Sequence, residues 1–423
     1  MGIAIPLVLI FFTCLFIWRA CDGFETASEY IGRNLSEGVR GGTINAISSS
    51  VPELFTTLIA LFILSDQDGF SVGIGTTAGS ALFNGMIIPA VCILTVVGTV
   101  ILGKQVQAVN VSAKVILRDG LALILGELLL ILCLGGNQLV WWQGALLMSF
   151  YIIYLFYMIS SMKQNGNGGE ASGDDGDEEE EDEELGAVGK LFYWMSLGPL
   201  LDLESLFIKD KQKQQIKDEK WNGWPLLLSS TAVIGVACWL LVKSCEWLGT
   251  GAGNPYEFFG MELSGIGMPP LFVAVIFASM ATSVPDTIIS VRDAKDGDYD
   301  DAVANALGSN IFDICFALGF PLFLFTLING PVTMTPETVE QSTELRAALL
   351  ILTVAGFLLY FVGKRIRENG ITVIPLKKWR AFALLSIYLF FVVFIVARSM
   401  DAAWAKSISE FLQRFLELLP QIE

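Results

Sequence analysis

Runs of about 20 residues with almost no charge recur ten times along this chain, near 3–18, 41–64, 72–102, 115–135, 139–160, 224–243, 269–291, 302–327, 346–363 and 381–398. A bilayer offers no partner to a bare peptide group, so segments of this length and polarity cross it as helices that satisfy their own backbones. Composition agrees. Over 423 residues, 53% are hydrophobic and the mean hydropathy is +0.61, too apolar for a water-soluble domain of this size. The expected fold is an all-α polytopic membrane protein with ten transmembrane helices, five on each side of a polar gap. The third run is too long for one straight span, and its Gly73, Gly75, Gly79 and Pro89 suggest a kinked or broken helix. Spans four and five read as ordinary lipid-facing helices, with Trp141-Trp142 at a boundary.

Lysine and arginine set the orientation. The gaps after the odd-numbered spans hold Arg19, Arg33 and Arg40, then Lys104, Lys114 and Arg118, seven in the central gap, Arg292 and Lys295, and six between Lys364 and Arg380. The positive-inside rule puts these loops in the cytoplasm and both termini outside, in what is expected to be the cell membrane. A cleaved signal peptide at 3–18 is excluded, because it lacks a basic start and would place these charges outside. The sequons at Asn34 and Asn110 then fall on the cytoplasmic side and should stay unmodified. The net charge of −17 owes much to residues 174–184, where ten of eleven positions are acidic. Such a stretch cannot bury a core and is expected to be solvated, although clustered carboxylates also attract divalent ions. Residues 188–208 read as an interfacial helix broken at Gly198-Pro199, and Trp404, Ile408, Phe411, Phe415 and Leu418 as one face of an amphipathic helix on the membrane surface. The domains are thus a first membrane half (1–162), a cytoplasmic loop with an interfacial helix (163–221), a second membrane half (222–400) and a C-terminal amphipathic helix (401–423). Seven cysteines without ligand or framework spacing read as core residues, and there is no histidine to ligate metal or shuttle protons.

Inside the apolar runs, one motif occurs twice. Ser49-Ser50-Val51-Pro52-Glu53 returns as Thr282-Ser283-Val284-Pro285-Asp286, each copy placing a carboxylate in an otherwise apolar run. A charge at mid-bilayer depth costs roughly 3 kcal/mol on insertion scales, so two at matching places call for a function. Each proline also removes a backbone donor, freeing the carbonyls of Ser48 and Ala281 as further oxygen ligands. A second matched pair follows at the same offset. Gly79-Ser80-Ala81-Leu82-Phe83-Asn84 becomes Gly308-Ser309-Asn310-Ile311-Phe312-Asp313, with Ser80 and Asn84 on one helix face. By the parity of spans the first motif helix runs outward and the second inward, which makes the halves inverted five-helix repeats, an architecture of secondary transporters.

These motifs resemble the α repeats of the sodium/calcium exchanger superfamily, the calcium/cation antiporters, and most closely its potassium-dependent branch. The resemblance covers roughly residues 1–162 and 222–400. It implies that Glu53 and Asp286 are the paired calcium- and sodium-coordinating carboxylates. It further implies hydroxyl ligands at Ser50, Ser283, Ser80 and Ser309, preceding residues at Ser49 and Thr282, and a polar pair at Asn84 and Asp313, the latter being where potassium dependence resides. The glycine usual before the Thr-Ser pair is Ser48 here and Ala281 in the second copy, which leaves helix packing at the site and its ion selectivity open.

The chemistry points the same way. Calcium takes six to eight hard oxygens, which carboxylates, hydroxyls and amides supply, and sodium uses the same atoms. Two or three negative charges are neutralised by one divalent ion or by several monovalent ones, so the two loads exclude each other. The expected activity is sodium/calcium antiport by alternating access, without enzyme chemistry, cofactor or nucleic-acid partner, in a bilayer where one copy suffices. A calcium/proton antiporter of the same superfamily is the alternative, although the Gly-Asn-x-x-Glu pattern usual there is missing. A cation channel suits one buried carboxylate per half less well, and an aspartyl-type intramembrane enzyme lacks a water-handling motif. Asn84 against Asp313 is the one formal-charge difference between the copies. With calcium alone, the third carboxylate leaves one negative charge that needs potassium or a proton beside it.

Overall fold

The computed structural model describes residues 1–31, 46–64, 66–101, 103–136, 138–165, 187–368 and 370–418. The acidic run 174–184, Arg33, Asn34 and Arg40 lie outside them. Every apolar run carries helix. The first half holds α1 (Ala4–Ile31), α2 (Val51–Ile59), α3 (Asp66–Val96), α4 (Ala113–Cys133) and α5 (Trp141–Asn165). The second holds α6 (Trp224–Gly249), α7 (Val284–Asp296), α8 (Tyr299–Phe312, continued by Gly319–Asn329), α9 (Pro336–Phe361), α10 (Lys378–Ser399) and α11 (Ala403–Glu417). Among the described residues six helices are long and apolar enough to cross a membrane, and a seventh joins them if Pro270–Thr282 and α7, bent by 44°, count as one.

Both motif runs break at the serine before the proline. Ala46–Ser49 stops at Ser50 (φ −97°, ψ 5°), and Ser279–Thr282 stops at Ser283 (φ −81°, ψ 4°), in the sparsely populated bridge region. Proline suits the first turn of the helix that follows, because it needs no N–H there. Glu53 and Asp286 therefore both sit in a first helical turn, where unpaired N–H groups favour negative charge. A π-helical turn flanks each pair, Ala60–Leu64 after α2 and Ala274–Ala278 before Ser279, and a third, Asp313–Ala317, interrupts α8.

Helix α3 lies at the centre, packed against both broken runs, α8, α9 and α10. It is one continuous helix with Pro89 inside it, rather than the broken helix that its glycines and proline also allow. Those glycines admit neighbouring backbone instead. A β-carbon at Gly75 would stand 2.5 Å from the Leu271 carbonyl oxygen, and one at Gly79 2.4 Å from that of Val275. Helix α4 also departs from expectation. One side faces outward through Leu117, Leu121 and Leu125, but Asp119 and Glu127 are fully buried, so it is not simply lipid-facing. The buried face of α5 places Tyr151 against Phe312 and Tyr154 on Asp119.

Short strands join the helix ends, a feature the all-α expectation omits. β1 (Val109–Ser112), β2 (Ile366–Glu368) and β3 (Ile371–Leu376) form an antiparallel sheet with β3 in the middle, pairing Val109 with Leu376 and Ser112 with Val373. Val-Asn-Val-Ser and Ile-Thr-Val-Ile are rich in β-branched residues that suit a pleated edge. Gln138–Leu139 pairs likewise with Val332–Thr333. Residues 187–217 form several short helices. The first break falls at Ser196-Leu197, just before the expected Gly198-Pro199 pair, which instead opens the next helix, and Arg19 donates to Ser196 to hold the segment to α1. Helix α11 docks on α9 and α10 through its small-residue face. Ala405, Ser409, Leu412 and Leu416 are buried, whereas Phe411 and Leu418 stay exposed. Glu344 fixes it, accepting from Ser409, from Gln413 (3.0 Å) and from Arg398 (3.0 Å). Of the cysteines, six are buried and Cys14 is half-buried, all as free thiols.

Candidate ion-binding site

The breaks bring all the motif residues into one region. Ser49, Ser50, Glu53, Ser80, Asn84, Thr282, Ser283, Asp286, Ser309 and Asp313 are each at most 1% exposed. Two helix starts point a carboxylate inward, α3 supplies Ser80 and Asn84 one turn apart, and α8 supplies Ser309 and Asp313 in the same relation.

Ser80 is the hub. Its Oγ lies 3.2 Å from Glu53 Oε1, 2.9 Å from Asp313 Oδ2 and 2.9 Å from Ser283 Oγ, and it accepts from Asn84 Nδ2 at 3.3 Å. A hydroxyl carries one proton, so it cannot donate to both carboxylates at once, and the contact needs a further positive charge. Asp286 is held by Ser309 Oγ (2.6 Å) and Asn84 Nδ2 (3.2 Å), and Ser309 meets Ser49 at 3.5 Å. Thr282 stands beside Glu53, Ser49 beside Asp286 and Ser50 beside Asp313, and of these the Ser50 Oγ has no hydrogen-bond partner. Four buried oxygens here, Ser50 Oγ, Glu53 Oε2, Asn84 Oδ1 and Asp313 Oδ1, have no hydrogen-bond partner. Orphaned oxygen at zero exposure is costly, and a cation satisfies it directly. Among the described residues no three His, Cys, Asp or Glu side chains gather closely enough to hold a metal by themselves. A cation here would be bound by carboxylates together with hydroxyls and an amide.

Part of the network repeats when the halves are exchanged, although the Ser80–Asp313 and Asn84–Asp286 contacts have no described counterpart in the other half. Ser80 serves Glu53 as Ser309 serves Asp286, within each half. Thr282 stands by Glu53 as Ser49 stands by Asp286, across the halves.

Of the buried carboxylates outside the motifs, Asp119 pairs with Arg118 and Glu344 with Arg398, whereas Glu127 has no ion pair among the described residues. Glu127 in α4 accepts from Thr353 Oγ1 at 2.6 Å, and its Oε2 has no partner. A lone glutamate in the 115–135 run was the available signal; it belongs to no repeated motif.

The family model described as sodium/calcium exchanger protein matches residues 5–160 and 222–397, most of the chain. The chain belongs to the sodium/calcium exchanger family. It is therefore a multi-pass membrane protein of an ion-antiporter family, as the α-repeat resemblance implies. Human sodium/potassium/calcium exchanger 5 is 24% identical over 446 residues, covering 91% of this chain and 83% of that one. Bovine sodium/potassium/calcium exchanger 1 is 38% identical over 168 residues, 40% of this chain and 11% of that much longer relative. The crystal structure of the H+/Ca2+ exchanger CAX superposes with a TM-score of 0.54 at 12% identity, over 98% of this chain and 89% of that one, and shares its fold.

Proposed function

We propose that this family member exchanges calcium for sodium by alternating access, with Glu53 and Asp286 as the carboxylates that both loads share. The observation that carries this reading is the buried network around Ser80 and Ser309, in which Asn84 and Ser80 of the first half reach Asp286 and Asp313 while Thr282 of the second stands beside Glu53. A site divided between two halves changes its exposure when one half tilts against the other, which suits occlusion better than a continuous pore. One divalent ion, or several monovalent ions, compensates the same carboxylates, so binding of one load displaces the other. Asp313 is the place for a co-transported potassium ion, because its oxygen competes with Glu53 for one hydroxyl proton.

The proposed topology is ten crossings in two inverted five-helix repeats, with both termini outside. Strand pairing supports it. The loop after the third run pairs with the loop after the ninth, and the loop after the fourth with the loop after the eighth, so each ladder joins loops assigned to the same side. One chain contains every residue of the proposed site, and a monomer is the proposed working unit.

The test is flux. In proteoliposomes loaded with sodium, reversing the sodium gradient should drive uptake of radioactive calcium. Uptake that follows a proton gradient and ignores sodium would replace this reading with calcium/proton exchange, and dissipative flux in both directions would make the protein a channel.

A further inference from the structure

A groove of about 1000 Å³ opens on the face that the basic-residue count assigns to the cytoplasm, between the loops that follow the third, seventh and ninth runs. It is lined by Lys104, Lys364, Lys377 and Arg380, with Glu368 the one carboxylate on its wall. Glu368 is engaged by Asn110 Nδ2 at 3.0 Å. Among the described residues none of the four cations forms an ion pair, whereas Arg19, Arg118, Lys243, Arg398 and Lys406 all do. The positive-inside bias accounts for basic loops on this face, but four cations lining one groove whose described carboxylate is already engaged make a field that favours an anion.

Arg380 supplies the second observation. It is 4% exposed and donates to the carbonyls of Leu359 (2.7 Å), Tyr360 (2.8 Å) and Val362 (3.0 Å) at the end of α9. Its buried Nε has no partner. Three of its five N–H groups are thus spent on the end of α9, which fixes the guanidinium in the groove wall with no carboxylate to neutralise its charge.

The rim is apolar. Trp379 and Val362, both on the lining, are 56% and 62% exposed, at the level where α9 ends and α10 begins. Exposed tryptophan and aliphatic side chains beside unpaired lysines suit the boundary between headgroups and acyl chains.

We propose that this groove binds the headgroup of an anionic glycerophospholipid of the cytoplasmic leaflet, the phosphate lying among Lys104, Lys364 and Lys377 in the field of the fixed Arg380 charge, and the acyl chains along Trp379 and Val362. The site is separate from the ion network and independent of which ions are exchanged.

Native mass spectrometry of the full chain, titrated with phosphatidylserine or with phosphatidylcholine, tests it. The wild type should retain one phosphatidylserine that phosphatidylcholine does not replace. Lys104→Gln/Lys364→Gln/Lys377→Gln should weaken retention by roughly a hundredfold, about a factor of five for each cation removed. The matching triple arginine variant should keep it. Equal retention of the two lipids, or unchanged phosphatidylserine binding in the glutamine variant, overturns the proposal. Displacement by inorganic phosphate at matched concentration also overturns it, in favour of a soluble anion site. Should the glutamine variant fail to fold, the wild type decides through salt, since phosphatidylserine retention that does not fall with rising ionic strength contradicts a headgroup held by charge.

Discussion

At Ser80 one hydroxyl proton faces two carboxylates, and in the proposed mechanism the cargo balances their charge. Glu53→Gln and Asp286→Asn keep the side-chain volume and remove one negative charge each. Both variants should reach the membrane folded and lose calcium flux, and normal flux in either would remove that residue from the site. Asp313 tests the third charge. If potassium compensates it, wild-type calcium flux should require potassium and Asp313→Asn should not. A wild type indifferent to potassium gives that place to a proton. These residues were readable in the sequence because a carboxylate in an apolar run is expensive wherever it lies, and the expense occurs twice in one pattern. Glu127 bears the same expense, and only its lack of a matching partner in the other half hid it.

Among the elements, α3 shows why the rest was harder to read. A glycine looks the same in sequence whether it bends its own helix or admits a neighbour's backbone, and only the position of Leu271 and Val275 decides for Gly75 and Gly79. Gly79→Val should lower stability by about 1–3 kcal/mol or more, because the new atoms meet a carbonyl that cannot withdraw without disturbing the π turn. Gly85→Ala is the control. Its nearest heavy atom would be Asn310 Nδ2 at 3.4 Å, so it should cost little and gain helix propensity. Thermal unfolding in detergent would separate the two. The docked face of α11 was illegible for a related reason. Periodicity marks the large apolar residues, but the helix is seated by Ser409 and Gln413 donating to Glu344 of α9, which Arg398 of α10 also engages.

On the scale of the whole molecule, the halves share both the network and the sheet, whereas the acidic run 174–184 lies outside the described residues. If that acidic run is only solvated, deleting it should leave calcium flux and its calcium dependence unchanged; a large shift in apparent calcium affinity would assign it regulation. The strand pairings between Val109–Ser112 and Ile371–Leu376 could not be foreseen, since each strand is short and its partner lies at the far end of the chain.

The division of the site between halves also governs how the protein is made. Glu53 enters the membrane long before Asp286, Thr282 or Asp313 has been synthesised, roughly ten to fifty seconds at ordinary elongation rates. Through that interval its described hydrogen-bond partner from its own half is Ser80, on the next long helix to be inserted. The nascent first half therefore carries its own chaperone for the buried acid, a single hydroxyl that shelters Glu53 until translation delivers the second half.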